Sequence, residues 1–492
     1  MIPASCLLMV AGIVEATPVY GVRIDHADVA GEELERTGAA VGLVSFSEKE
    51  GEVLGKDDFS TIPPFSGMRV CNVDIRGGTP QITYEGSPGF SRKRDTFVEI
   101  PLFYMRRTLN GSVEEREITS EPKEGFEPAP MFVERGKVLP KVYIGVYETS
   151  VVDGKAASVS GKDPEVERTL AGFRALYHQK GPGFSAMDVR TVMSLQHLYL
   201  IRFEDKNSQK RIGGGWTGFH QPYGKESIPL NAGVSDRLVA NPSGYFRTHY
   251  FVGQRMGVVR KDIKGHPMVD RVTLLGIEAN KPETGKVTLV FDKAVSLDPE
   301  KTLFGGAPQL TGWSDGLTHD TGRTRFQNGA PGLCSVRLFY IENLWGNVWH
   351  QLDGMVIRGA EGAVSSDSRR YNDSGAGYAP LGQPFLLQPD LGIPGDEFGF
   401  IASLGVDPVF PWFAAPDAVK GAAGGKSGYG DFYYQKENAY PCMMVHGGGF
   451  DHYDRAGLFC MRNWMGVGSS WYLNGSRMQY KPPGDLEQES KE

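Results

Sequence analysis

The sequence predicts an α+β fold dominated by short strands, on three observations. Glycine supplies 64 of 492 residues, alongside 31 Pro, 20 Tyr and 26 Phe. That is about twice the usual share of Gly, and because Gly and Pro break helix interiors, most of the chain must be turns, loops and short strands. Two stretches carry helical spacing instead, and one region alternates apolar and polar residues as a β-hairpin does.

In chain order, the apolar run Cys6 to Val14 has no Lys or Arg before it, fails as a secretory signal and is too short to span a bilayer. It reads as a strand or an assembly arm. The patches Val19 to Ile24, Ala39 to Phe46, Met68 to Ile75 and Gln81 to Tyr84, separated by Gly and Pro, predict short strands in a compact β-rich module over residues 1–95. Thr96 to Tyr104 reads as a strand in which Pro101 favours an edge or a bulge. Lys141 to Tyr147, β-branched and aromatic, predicts a second strand. A helix is expected over Asp163 to Ala175, with Asp163 as cap and Pro164 at its first position. Another is expected over Asp188 to Phe203, where Val189, Val192, Met193, Leu195, Leu198 and Leu200 recur at near-helical spacing. The segments VTLLGIEA and KVTLVFDKAV, joined by NKPETG, predict a hairpin inserted at about 265–307. Long loops rich in Trp, Tyr and Gly follow Arg337, and residues 483–492 form a polar tail. The expected division is thus 1–95, 96–482 and the tail.

Charge and cysteine content narrow the function. Acids exceed bases by seven, 59 against 52, which argues against a nucleic-acid binder working through a basic field. Five cysteines, Cys6, Cys71, Cys334, Cys442 and Cys460, are too few and odd in number for a disulfide scaffold, which points to synthesis in a reducing cytosol. Nothing approaches 18 consecutive apolar residues, so membrane insertion is not expected.

Several short motifs fit enzymes but lack the required context. Gly312-Trp313-Ser314-Asp315-Gly316 matches a nucleophile elbow and His446-Gly447-Gly448-Gly449 an oxyanion motif, yet the elbow's flanks are turn material and the order of the two is reversed. Gly421 to Ser427 has one residue too few between its outer glycines for a phosphate-binding loop. Cys442, His446, His452 and Cys460 are zinc-ligand types at a spacing that matches no metal knuckle.

The string Ile341-Glu342-Asn343-Leu344-Trp345-Gly346-Asn347-Val348-Trp349, followed by Asp353-Gly354, resembles the core motif of the formylglycine-generating-enzyme-like branch of the C-type lectin fold. Val445-His446-Gly447-Gly448-Gly449-Phe450 is similar to that family's glycine strand, with His446 and Gly449 as departures. Ala456 to Cys460 and Gly475 to Met478 resemble its two terminal strands. Together with Tyr20 to Arg23, Arg36 to Ala40, Val98 to Pro101 with Phe103-Tyr104, Tyr143 to Gly145 with Tyr147-Glu148, Asn207 to Gln209 with Ile212-Gly213, and Tyr429 to Tyr434, the set resembles tailed-bacteriophage virion proteins of this fold, over about Tyr20 to Tyr480.

That resemblance implies an N-terminal β-rich module followed by a C-type-lectin-like domain carrying the hairpin insertion. It also implies a virion protein made in the bacterial cytoplasm, a homotrimer in contact with other virion proteins and with a host-surface receptor, and neither nucleic acid nor membrane as partner. The expected role is a tail-fibre or tail-tip component. The alternatives are a head-decoration or connector protein without a receptor role, and a cysteine oxidase, against which stands the lone Cys460 where the family's enzymes carry a cysteine pair. No catalytic residue, metal or cofactor is expected. The candidate receptor surface is Asp451, His452, Tyr453, Asn463, Trp464, Ser469, Ser470 and Tyr472, since aromatic and polar side chains on loops suit adaptable recognition. The competing reading makes Trp464 and Tyr472 core or subunit-contact residues.

Overall fold

The computed structural model describes residues 17–26, 34–49, 52–241, 250–279, 285–383, 396–420 and 428–483. Strands take up 39 % of the structure and helices 13 %, with three α-helices among the described residues. The expected α+β class is therefore corrected to a mostly β fold. The reason lies in the spacing of Gly and Pro: residues 184–212 contain neither, and they hold two of the three helices, Val189–Phe203 and Ser208–Arg211. Elsewhere the breakers recur too often for helix to compete with short strands.

The helix Val189–Phe203 begins where the sequence places it, with Asp188 accepting a hydrogen bond from the Thr191 amide. The other long helix differs. It spans Leu170–His178 and is capped by Thr169 rather than Asp163. Asp163 instead pairs with Arg255 at 2.6 Å, and the Glu165 amide donates to Thr149 O, which ties residues 163–168 down as irregular chain.

A six-stranded sheet runs in the order Phe184–Ala186, Met478–Tyr480, Lys141–Gly145, Thr96–Pro101, Arg69–Arg76, Thr79–Tyr84. Thr96–Pro101 lies inside this sheet rather than at an edge, and Pro101 ends the strand, where a missing amide disturbs the ladder least. A five-stranded sheet runs Glu127–Pro128, Tyr104–Asn110, Val113–Thr119, Tyr20–Asp25, Leu34–Gly38. Both sheets cross residue 95: Tyr20–Asp25 pairs with Val113–Thr119, and Arg69–Arg76 with Thr96–Pro101. Residues before the expected boundary therefore share sheets and core with those after it. Ala39 to Phe46 forms a turn and irregular chain, not a strand.

The hairpin Met268–Ala279 with Val287–Leu297 is present. It is the centre of a larger five-stranded sheet that also takes Gly233–Ala240, Arg255–Arg260 and Thr302–Gly306, with an apolar core of its own that includes Leu238, Val272, Leu289 and Phe304. A ten-stranded sheet occupies the C-terminal region. The segment from Ile341 to Trp349 joins the two largest apolar clusters: Ile341, Leu344 and Trp345 belong to one, Val348 and Trp349 to the other. The arm Cys6 to Val14, the loop Gly421 to Ser427 and nearly all of the polar tail lie outside the described residues. No helix among the described residues is long and apolar enough to cross a membrane.

Candidate recognition face

The candidate site is one face of the C-terminal sheet. Asp396–Leu404 pairs antiparallel with Phe432–Lys436, which runs parallel to Met461–Gly466. Register sets Phe398 opposite Tyr434, Phe400 opposite Phe432, and Tyr434 opposite Arg462. Because side chains alternate along a strand, these residues and Trp464 share a face. The rings pack in sequence: Phe400 and Phe432 meet edge to face at 5.1 Å between centroids, and Phe432 lies 4.7 Å from Tyr434.

Two guanidinium groups rest on this aromatic floor. Arg455 sits 5.0 Å above Phe432. Arg462, buried, lies 4.6 Å from Tyr434, 4.7 Å from Trp349 and 5.2 Å from Trp464. A desolvated cation among three aromatic faces gains about 2 kcal/mol or more from the rings. Burial lowers the Arg462 pKa from its ordinary value, while Tyr434, Cys460 and Asp451 act the other way. Its NH2 lies 3.3 Å from His452 Nε2, and His452 Nδ1 lies 2.9 Å from Asp451 Oδ1 and 3.3 Å from the Gly449 amide nitrogen. Asp451 also accepts from Gln221. The relay from Asp451 through His452 to Arg462 fixes the guanidinium without a direct carboxylate contact.

The residues expected for recognition divide between this face and the interior. Tyr453 and Trp464 are each 39 % exposed, and Asp451 and His452 orient Arg462. Ser470 is exposed beside the partly buried Ser469 in the loop that follows. Asn463 points to the opposite face of the sheet from Arg462 and Trp464, as alternation requires, and donates to the Tyr433 hydroxyl at 3.0 Å. Tyr472 is buried and stacked on Phe450. Both are therefore corrected to interior residues. Sequence reading missed the exposed Phe398 and Arg455 and, beneath them, the half-buried Tyr434 and the buried Trp349, Phe432 and Arg462 that support the face. The alternations Phe398-x-Phe400, Phe432-x-Tyr434 and Arg462-x-Trp464 were visible, but their convergence depends on pairing between strands distant in sequence.

The enzyme-like motifs acquire no working geometry. Ser314 lies in the short turn Trp313–Gly316, its amide donating to Glu342 Oε2 at 2.7 Å, with no strand leading in and no α-helix following. Cys442 and Cys460 are buried free thiols. Cys442 is opposite Gly466 whereas Cys460 precedes Met461, which sets them about 20 Å apart along the strand. Burial raises the pKa of both thiols, with Asp431 adding to the rise at Cys460, so neither is poised as a thiolate. Among the described residues no group of three or more His, Cys, Asp or Glu side chains is placed to hold a metal ion.

A second polar group is sealed in the interior. Arg477 donates to the carbonyls of Gly145, Val146, Glu342 and Asn343, and Glu148 Oε2 accepts from Asn347 at 2.6 Å. Burial pushes the Glu148 carboxyl from 4.5 up to about 8, against the opposing pull of Arg477. The folded chain thus holds a proton that the unfolded chain has released between those values. The contribution is fully present below pH 4.5, declines above it, and is lost as pH rises through about 8. Glu148→Gln should therefore flatten the fall in Tm across that window; melts of the two proteins with parallel pH profiles would refute the assignment.

No protein-family model matches the chain, and no curated protein matches it.

Proposed function

We propose that this chain is a tailed-bacteriophage virion component of the tail-fibre or tail-tip kind, which attaches to the host surface by binding rather than by chemistry. The observation that carries the proposal is the exposed rim of this face, Phe398, Arg455 and Trp464, held on paired strands over the buried Arg462 and Phe432, with the exposed Tyr453 two residues before Arg455. Aromatic and Arg side chains on a rigid support are the residues that dominate binding energy elsewhere, because little ordering entropy is lost on contact. The virion assignment draws on the resemblance of residues 341–349 and of the terminal strands. Consistent with it, Trp345 and Trp349 are buried, and Met478–Tyr480, from one of the resembling terminal segments, pairs with Lys141–Gly145.

The test is adsorption of particles carrying Tyr453→Ala with Trp464→Ala. Neither side chain is buried, so assembly should be unaffected. Adsorption should fall by two to three orders of magnitude, since each hot spot contributes about 2 kcal/mol. Normal adsorption would reject the face as the receptor site. Failed assembly would favour the architectural reading, for which one observation speaks directly: Val234, Val252, Leu275 and Ile277, on or beside the 233–306 sheet, are between 43 % and 77 % exposed, as suits contact with another virion chain.

A further inference from the structure

A pocket of about 590 Å³ opens between the turn Pro130–Phe132, the segment 364–370 and the loop 409–412. Its size lies within the range of small-molecule sites. It shares no residue with the face around Arg462.

The lining is of two kinds. Phe410, Pro411 and Trp412 provide apolar and aromatic surface, with the Phe410 and Trp412 rings 5.8 Å apart. Ser366, Asp367 and Arg370 provide hydroxyl, carboxylate and guanidinium groups. Arg190 also lines the pocket and is almost wholly buried. Its NH2 donates to Asp188 Oδ2 at 2.8 Å and to the Tyr371 hydroxyl at 2.7 Å, while its Nε has no hydrogen-bond partner.

Charge limits what this pocket can hold. Arg190 and Lys481 are matched by Asp188 and Glu134, and Arg370 faces Asp367 at 3.5 Å. Glu127 adds a negative charge to the lining. A phosphate-like anion would find no surplus cation. A purely apolar ligand would take the Ser366 hydroxyl and the Arg370 guanidinium out of water without new hydrogen bonds, at a cost. A ligand with one apolar face and several groups that both donate and accept satisfies both kinds of lining. We propose that this pocket binds a neutral saccharide unit, its C–H face against Trp412 and Phe410 and its hydroxyls on Ser366, Asp367 and Arg370.

The intact protein is titrated with glucose, galactose, N-acetylglucosamine, maltose, lactose and chitobiose, and binding is read by saturation-transfer NMR. At least one should bind with a Kd in the millimolar range or tighter. Trp412→Ala should weaken that binding at least tenfold. Because Trp412 also packs on Phe413, at 5.9 Å, Ser366→Trp provides a second block, placed at an exposed position where folding is not at stake. Trp464→Ala should leave saccharide binding unchanged, which separates this site from the proposed receptor face. Absence of binding by all six sugars, or binding unaltered by Ser366→Trp, would overturn the proposal. So would occupation of the pocket by a proline-rich peptide that no saccharide displaces.

Discussion

Replacing Trp345 by Ala should destabilise the protein by about 3–5 kcal/mol, the range for removing a large aromatic side chain from a packed interior. Trp345 has no exposed surface, and its indole Nε1 donates to Gly213 O at 2.9 Å. The variant therefore loses apolar contact and also strands a buried carbonyl, which adds to the penalty. On the sides that Gly215 and Gly447 cover, the surroundings cannot close the cavity easily, because backbone rather than flexible side chains lies against the segment there. At Gly447, with φ of +93°, a Cβ would come within 2.6 Å of Leu344 O and 3.1 Å of Trp345 Cα. Since residues 341–349 touch both main apolar clusters, the loss should appear as one cooperative transition at lower denaturant, with the slope little changed. A midpoint shift equivalent to less than about 1 kcal/mol would place Trp345 outside the core.

Local features of the fold were legible, and the pairing of distant segments was not. The helix Val189–Phe203 announces itself through a capping Asp188 and an unbroken apolar spacing, both properties of neighbours in sequence. The strand Lys141–Gly145 and the hairpin of Met268–Ala279 with Val287–Leu297 are visible for the same reason. The boundary at residue 95 fails because a drop in regularity along the chain says nothing about which strand lies beside which. Tyr20–Asp25 finds Val113–Thr119 some ninety residues on, and the closing Met478–Tyr480 returns to Lys141–Gly145. The recognition face shows the same limit. Tyr453 and Trp464 stand out by composition, whereas Arg462 becomes interesting only when Trp349 and Tyr434 arrive around it. Asp163 gives the converse lesson: a good cap in a good context was taken by Arg255, an ion pair across 92 residues that no local rule anticipates.

Asp188→Asn should cost about 3–5 kcal/mol, the penalty for removing one partner from a buried ion pair. Asp188 is wholly buried and accepts from Arg190 NH2 at 2.8 Å, Lys481 Nζ at 2.8 Å, the Tyr371 hydroxyl at 2.7 Å and Gln479 Nε2 at 3.1 Å. Burial alone would raise its pKa. The charges of Arg190 and Lys481, with the hydrogen bonds from Lys481 and Tyr371, outweigh that and hold the carboxyl well below the usual carboxylate range. A depressed carboxyl contributes stability that is fully present above its unfolded pKa of 3.8 and is lost as pH falls below that value toward the folded one, so the wild type should lose stability in acid more steeply than the variant. In the variant, Glu134 alone faces two buried cations, Arg190 at 3.3 Å and Lys481 at 3.6 Å. Adding Lys481→Met removes the surplus charge, so the double variant should recover part of the loss even though it departs further from the native sequence. Urea unfolding of the four proteins of this cycle reads the coupling directly. Strict additivity of the two substitutions would mean that Asp188 and Lys481 do not interact, and the ion cluster beneath the pocket would then have to be redrawn around Glu134.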